Sequence, residues 1–171
     1  MKGLTVSICA RHHGIGLLLL WLSTAVPTVS AEALSQPVPA PSFELAGLDG
    51  NPVSLKQYQG KVVIVNFWGT FCKPCLKETP DLVAVQQQFA DKGLTIIGAA
   101  MDQNNLDGVK IFAKKYFVNY PMIETTAKLN RDYGVIVAPT TIIINKAGNI
   151  VYRHAGALNR TELADLIKPL L

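Results

Sequence analysis

The chain has 171 residues, of which 49% are hydrophobic and 16% charged, a length that suits one domain and a composition that excludes a disordered chain. Its 13 Gly and 10 Pro follow no period, which excludes collagen-like and low-complexity architectures. The formal net charge is +4 and no Lys/Arg run exceeds the pair Lys114-Lys115, so no nucleic-acid partner is expected.

The first residues read as an address. Lys2, Arg11, His12 and His13 precede an apolar run over 14–26, and small side chains follow through Ala31. This is the pattern of a secretory signal peptide over residues 1–31, with cleavage expected after Ala31. The alternative is an uncleaved membrane anchor through residues 14–29; the apolar stretch falls short of the ~20 residues that a spanning helix prefers. Either reading sends the domain to the periplasm or another exported location, where disulfides form and persist. Residues 32–42 read as a Pro-rich extended linker, and residues 43–171 as the folded domain.

Within that domain, Phe43–Leu45 and Val53–Leu55 alternate around a Gly-Asn-Pro turn and predict a hairpin. Lys61–Trp68 is a β-branched run typical of a strand buried on both faces. A helix is expected from Pro74 to about Lys92, stopped by Gly93, and a second buried strand over Leu94–Met101. Asn104 is expected to cap an inserted helix through about Tyr116; Tyr120–Ile123 reads as extended and Thr126 as the cap of a helix ending at Gly134. Thr140–Ile144 and Asn149–Arg153 form an antiparallel hairpin, and Asn159-Arg-Thr-Glu162 opens the last helix. The order predicts an α/β fold with a central mixed β-sheet flanked by helices on both faces.

The chemistry sits at Cys72-Lys-Pro-Cys75. Two cysteines at this spacing fit a zinc half-site, a haem attachment, a structural disulfide or a redox dithiol. Haem attachment needs His after the second cysteine, and Leu76 stands there. Structural zinc needs about four ligands, and the domain offers Cys72, Cys75 and His154. A structural disulfide stays open, although so short a loop gains little from closure. The strand–CxxC–helix context favours a redox dithiol. At a helix N-terminus Cys72 would be stabilised as the thiolate, Pro74 fits the first turn, and Cys75 lies over the same face. Cys72 could then attack a disulfide and Cys75 resolve the mixed disulfide.

Other residues bear on that chemistry. Pro139 precedes a strand; it is either an ordinary trans proline or a cis one whose turn presents the Ala138 backbone to an extended substrate. Glu78 is either a solvated helix acid or a buried carboxylate that trades protons with Cys75. Trp68 reads as an aromatic beside the site that shapes access, Asn66 as a core amide, and His154 and Met101 as packing residues.

The segment Val62–Pro80, together with the Tyr58-Gln-Gly-Lys61 approach, the inserted helix around Val109–Tyr116 and the Pro139-Thr-Thr turn, resembles the exported TlpA/ResA-type thiol-disulfide oxidoreductases. These belong to the thioredoxin-like superfamily and include cytochrome c maturation proteins. The resemblance implies a thioredoxin-like fold with an N-terminal hairpin and an inserted helix, Cys72 attacking, Cys75 resolving, and Pro139 cis. It also implies Glu78 as the acid near the pair; Trp68, Pro74, Ala138 and Pro139 are expected to position the substrate. Protein disulfides would be the substrates, apocytochrome c among them, a membrane thiol-transfer protein the electron donor, and no cofactor or metal is called for. Asn66 stands where thioredoxin has a buried Asp, and Gly69, Phe71 and Lys73 depart from the usual residues around the pair. Two alternatives are a peroxiredoxin, which wants Thr where Gly69 stands, and a copper chaperone using Cys72, Cys75 and His154 or Met101.

Overall fold

Val62–Trp68 and Leu94–Ala100 are continuous runs of β-branched and small apolar residues, and every residue in both is buried. Such strands must lie inside a sheet covered on both sides. In the computed structural model, which describes residues 38–171, they form the centre of a six-stranded sheet. The strands are β1 (Val38–Pro39), β4 (Val62–Trp68), β5 (Leu94–Ala100), β6 (Met122–Glu124), β7 (Thr140–Ile144) and β8 (Asn149–Ala155), in the order β1-β8-β7-β4-β5-β6. β4, β5 and β6 run parallel, and β7 and β8 are antiparallel additions. β2 (Glu44–Ala46) and β3 (Pro52–Ser54) make the expected hairpin as a separate two-stranded sheet. The expected signal segment and the first half of the Pro-rich stretch lie outside the described residues.

Side chains alternate across β4. Val62, Ile64 and Trp68 pack on one face against α1 (Lys73–Phe89), α2 (Leu106–Lys115) and α4 (Arg160–Ile167). Val63, Val65 and Phe67 pack on the other against α3 (Ala127–Asp132) and the hairpin. This is the thioredoxin-like α/β arrangement, a mixed sheet with helices on both faces. Helix ends carry the sequence signals: Gly93 takes φ +93° after the first helical segment, Thr126 accepts from the Leu129 amide, and Asn159 with Glu162 closes a capping box.

Two boundaries differ from expectation. The inserted helix starts at Leu106 with Asn105, not Asn104, before it; Asn104 takes φ +57°, a left-handed conformation that asparagine tolerates. Val38–Pro39, inside the stretch that composition marks as a linker, pair with Ile150 and Asn149 on the sheet edge, where a proline's missing donor costs no ladder bond. The Ala40 amide donates to the Gly148 carbonyl, and the Tyr133 hydroxyl to the Pro41 carbonyl. Proline content spoke for an extended chain and could not speak for its docking.

Ile64 is fully buried at the centre of β4. Ile64→Ala is expected to cost about 2–5 kcal/mol, read as a lowered denaturation midpoint with unchanged slope.

Candidate active site

β4 ends at Trp68, and the chain turns before α1 begins. The Cys72 amide donates to the Gly69 carbonyl at 3.0 Å, closing a turn with Thr70 and Phe71 at its centre. Cys72 is the N-cap of α1, with φ −94° and ψ 101°. Its sulfur accepts from the Cys75 amide at 3.3 Å, the bond that a serine or aspartate cap would make. Pro74 lies in the first turn, where no intrahelical donor is needed. Cys72 and Cys75 are joined as a disulfide with a Cα separation of 5.3 Å. Cys72 keeps 7% of its surface exposed and Cys75 only 1%, so solvent reaches the pair from the Cys72 side.

One helical turn beyond Cys75, Glu78 is 2% exposed. Its Oε1 accepts from the Leu158 amide at 3.0 Å and its Oε2 from Asn66 Nδ2 at 3.2 Å. Asn66 lies on the α1 side of β4 and donates also to Thr141 Oγ1 at 3.2 Å. Burial pushes the Glu78 carboxyl above its ordinary value; the Leu158 and Asn66 hydrogen bonds pull back part of that shift, and the Asp81 charge adds slightly to it. Tyr120 is also raised, first by its own burial and then by the Glu78 charge. Glu78 is therefore a buried acid and not a solvated one. Leu158 and Thr141, which hold this cluster together, come from elements distant in the chain and carry no local signal.

The register Phe67↔Thr140 sets the start of β7 beside the end of β4, so the preceding Ala138–Pro139 peptide stands at the same pole of the sheet as the cysteines. That peptide is cis. The Pro139 carbonyl accepts from the Gly156 amide at 2.8 Å, whereas the Ala138 amide and carbonyl have no backbone partner among the described residues. Trp68 is 2% exposed and packs against Phe112 of α2 with ring centroids 4.2 Å apart, so it is a core residue under the site. Phe71 (70% exposed), Ile136 (92%) and Val137 (47%) belong to the turn before Cys72 and the segment before Ala138. The Phe71 ring lies over Gly69, where an added Cβ would come within 2.6 Å of it unless the exposed ring moved aside.

A network that the sequence reading missed centres on Asp102, just past β5 and 6% exposed. It accepts from the Thr70 amide at 2.9 Å, from the Thr70 hydroxyl, and from Asn105 Nδ2 at 3.3 Å. The available signal was an acid at the end of a buried strand, adjacent to a site-bearing strand. The copper set is not gathered. Met101 packs with the α3-side cluster while the cysteines belong to the α1-side one, and among the described residues no three His, Cys, Asp or Glu side chains form a metal-binding group.

The Redoxin family model matches residues 33–168. Thiol-disulfide oxidoreductase ResA of Bacillus thuringiensis subsp. konkukian is 35% identical over 132 residues, covering 77% of this chain and 76% of that one. ResA of Bacillus subtilis is 34% identical over 142 residues, covering 81% and 79%. The crystal structure of a thiol:disulfide interchange protein of the thioredoxin family from Chlorobium tepidum TLS superposes with a TM-score of 0.74 at 34% identity, covering 80% of this chain and 97% of that one. At such identity over most of both chains, the protein belongs to the Redoxin family and is a thiol-disulfide oxidoreductase of the ResA type within the thioredoxin-like superfamily.

Proposed function

We propose that this protein is exported and reduces specific protein disulfides, with Cys72 attacking, Cys75 resolving and Glu78 handling the proton. The observation that carries the reading is the more exposed cysteine, Cys72, seated as the N-cap of α1 with its partner buried a turn along and a buried acid one turn further. Amides at a helix start favour a thiolate over a thiol. In the reduced enzyme the Cys72 thiolate attacks one sulfur of the substrate disulfide; that S–S bond breaks, a mixed disulfide forms, and the first substrate sulfur leaves as a thiolate. The Cys75 thiol passes its proton to the Glu78 carboxylate, and its sulfur then attacks Cys72 Sγ, releasing the second substrate thiolate. The enzyme pair loses two electrons, the substrate gains two, and the substrate thiolates take up protons, one of them the proton held by Glu78. A carboxylate whose pKa is raised by burial is a stronger base than a solvated one, which suits this transfer.

The Ala138 backbone groups, which have no backbone partner among the described residues, support strand-like pairing of an extended substrate segment across Cys72. Pro74 in the first turn of α1 and the cis Pro139 are the positioning residues of this reading, with Trp68 packed in the core beneath them against Phe112. Apocytochrome c fits this substrate class through the resemblance to cytochrome c maturation proteins, with a membrane thiol-transfer protein as the electron source.

Cys75→Ser should accumulate mixed disulfides through Cys72, visible on a non-reducing gel, and Cys72→Ser should accumulate none; no adduct with either variant overturns the assignment. Titration against dithiothreitol should place the couple nearer thioredoxin, at about −270 mV, than DsbA, at about −120 mV; a value at the DsbA end reverses the direction of transfer. Glu78→Gln gives a third check. Because the folded-state pKa of Glu78 is raised, its contribution to stability is fully present below the ordinary carboxyl value of 4.5 and is lost as pH rises through the folded value. The wild type should therefore lose stability relative to Glu78→Gln as pH goes from 4 to 8, measured by thermal melts, and the variant should shift the thiol titration curves.

A further inference from the structure

We infer that Asp102 is a positioning residue for the dithiol, holding the turn that ends on Cys72 so that the Cys72 sulfur stays over the first amides of α1. The inference rests on Cys72 being the attacking thiol. The parallel ladder of β4 and β5 ends at the pair Trp68↔Ala100, and the Met101 amide adds one more bond, to the Trp68 carbonyl at 2.7 Å. Beyond it the two chains part: one enters the Gly69–Cys72 turn, the other the segment leading to α2. Where the main chains separate, the Asp102 side chain takes over as acceptor.

Both Asp102 oxygens are used. Oδ2 accepts from the Thr70 amide at 2.9 Å, and Oδ1 from the Thr70 hydroxyl and from Asn105 Nδ2 at 3.3 Å. Two bonds to one residue fix its orientation as well as its distance. Thr70 is the second residue of the turn closed by the Cys72 amide on the Gly69 carbonyl, so gripping Thr70 sets the direction in which the chain delivers Cys72. Asn105 precedes α2 yet makes no side-chain cap bond to that helix; its amide group goes to Asp102 instead. A buried carboxylate with three donors is satisfied and stays in place. Its charge alone would disfavour a thiolate nearby, so geometry and charge act on Cys72 in opposite senses.

That opposition makes the test decisive. The reduced full-length protein is treated with iodoacetamide at pH 7 and the modified cysteine mapped by mass spectrometry, with the reduction potential of the couple measured alongside. Thr70→Val keeps shape and charge but removes one donor; alkylation of Cys72 should slow about tenfold, the scale of one lost hydrogen bond to a charged group. The potential should fall by the corresponding 30 mV or so, because only the reduced form holds the thiolate. Thr70→Ser should restore both. Asp102→Asn should also slow alkylation, since the amide offers one acceptor oxygen where the two Thr70 donors now use two, although losing the charge would by itself speed it. Thr70→Val at wild-type rate and potential with only a lower melting temperature, or Asp102→Asn faster than wild type, overturns the inference. Alkylation of the wild type at Cys75 in place of Cys72 would overturn the attack-and-resolve reading instead.

Discussion

The amides that open α1 are donors with no partner inside the helix, and the Cys72 sulfur sits where one of them, from Cys75, points at it. Much of the rest of the molecule serves to keep that sulfur there. β4 brings the chain to the spot from inside a sheet buried on both faces, where a one-residue slip would turn Trp68 and Asn66 to the wrong side. Pro74 stiffens the first turn without removing any bond the helix needs. The disulfide then closes over a geometry that the backbone has already set.

Beneath the pair, an apolar layer admits a polar seam. Asn66 faces α1 from β4, Thr141 comes from β7, Leu158 contributes its amide just before α4, and Glu78 joins them from α1. Burying an acid this deeply is costly unless its oxygens are bonded, and here each oxygen has a donor. The seam therefore ties four elements to one carboxylate, and the same burial that makes it expensive makes it basic.

The strands, the helices and the cysteine motif were legible because each rests on local pattern. β-branched runs marked β4 and β5, Asn159 and Glu162 marked α4, and a strand–CxxC–helix order marked the chemistry. Glu78 could be read two ways because its burial depends on Asn66, 12 positions back, and on the Leu158 amide, 80 positions on. Asp102 was silent for the same reason: Thr70, 32 positions away, becomes its neighbour only once β4 and β5 pair. Val38–Pro39 looked like linker because proline content reports stiffness and says nothing of what the stiff segment lies against.

The amide at Asn66 carries one last implication. A second acid at that place on β4 would face Glu78 across a hydrogen-bond distance, and two carboxyls so close would share a single proton and titrate as a pair. With an uncharged amide there, the ionisation of the buried Glu78 carboxyl is not shared with an acid on β4.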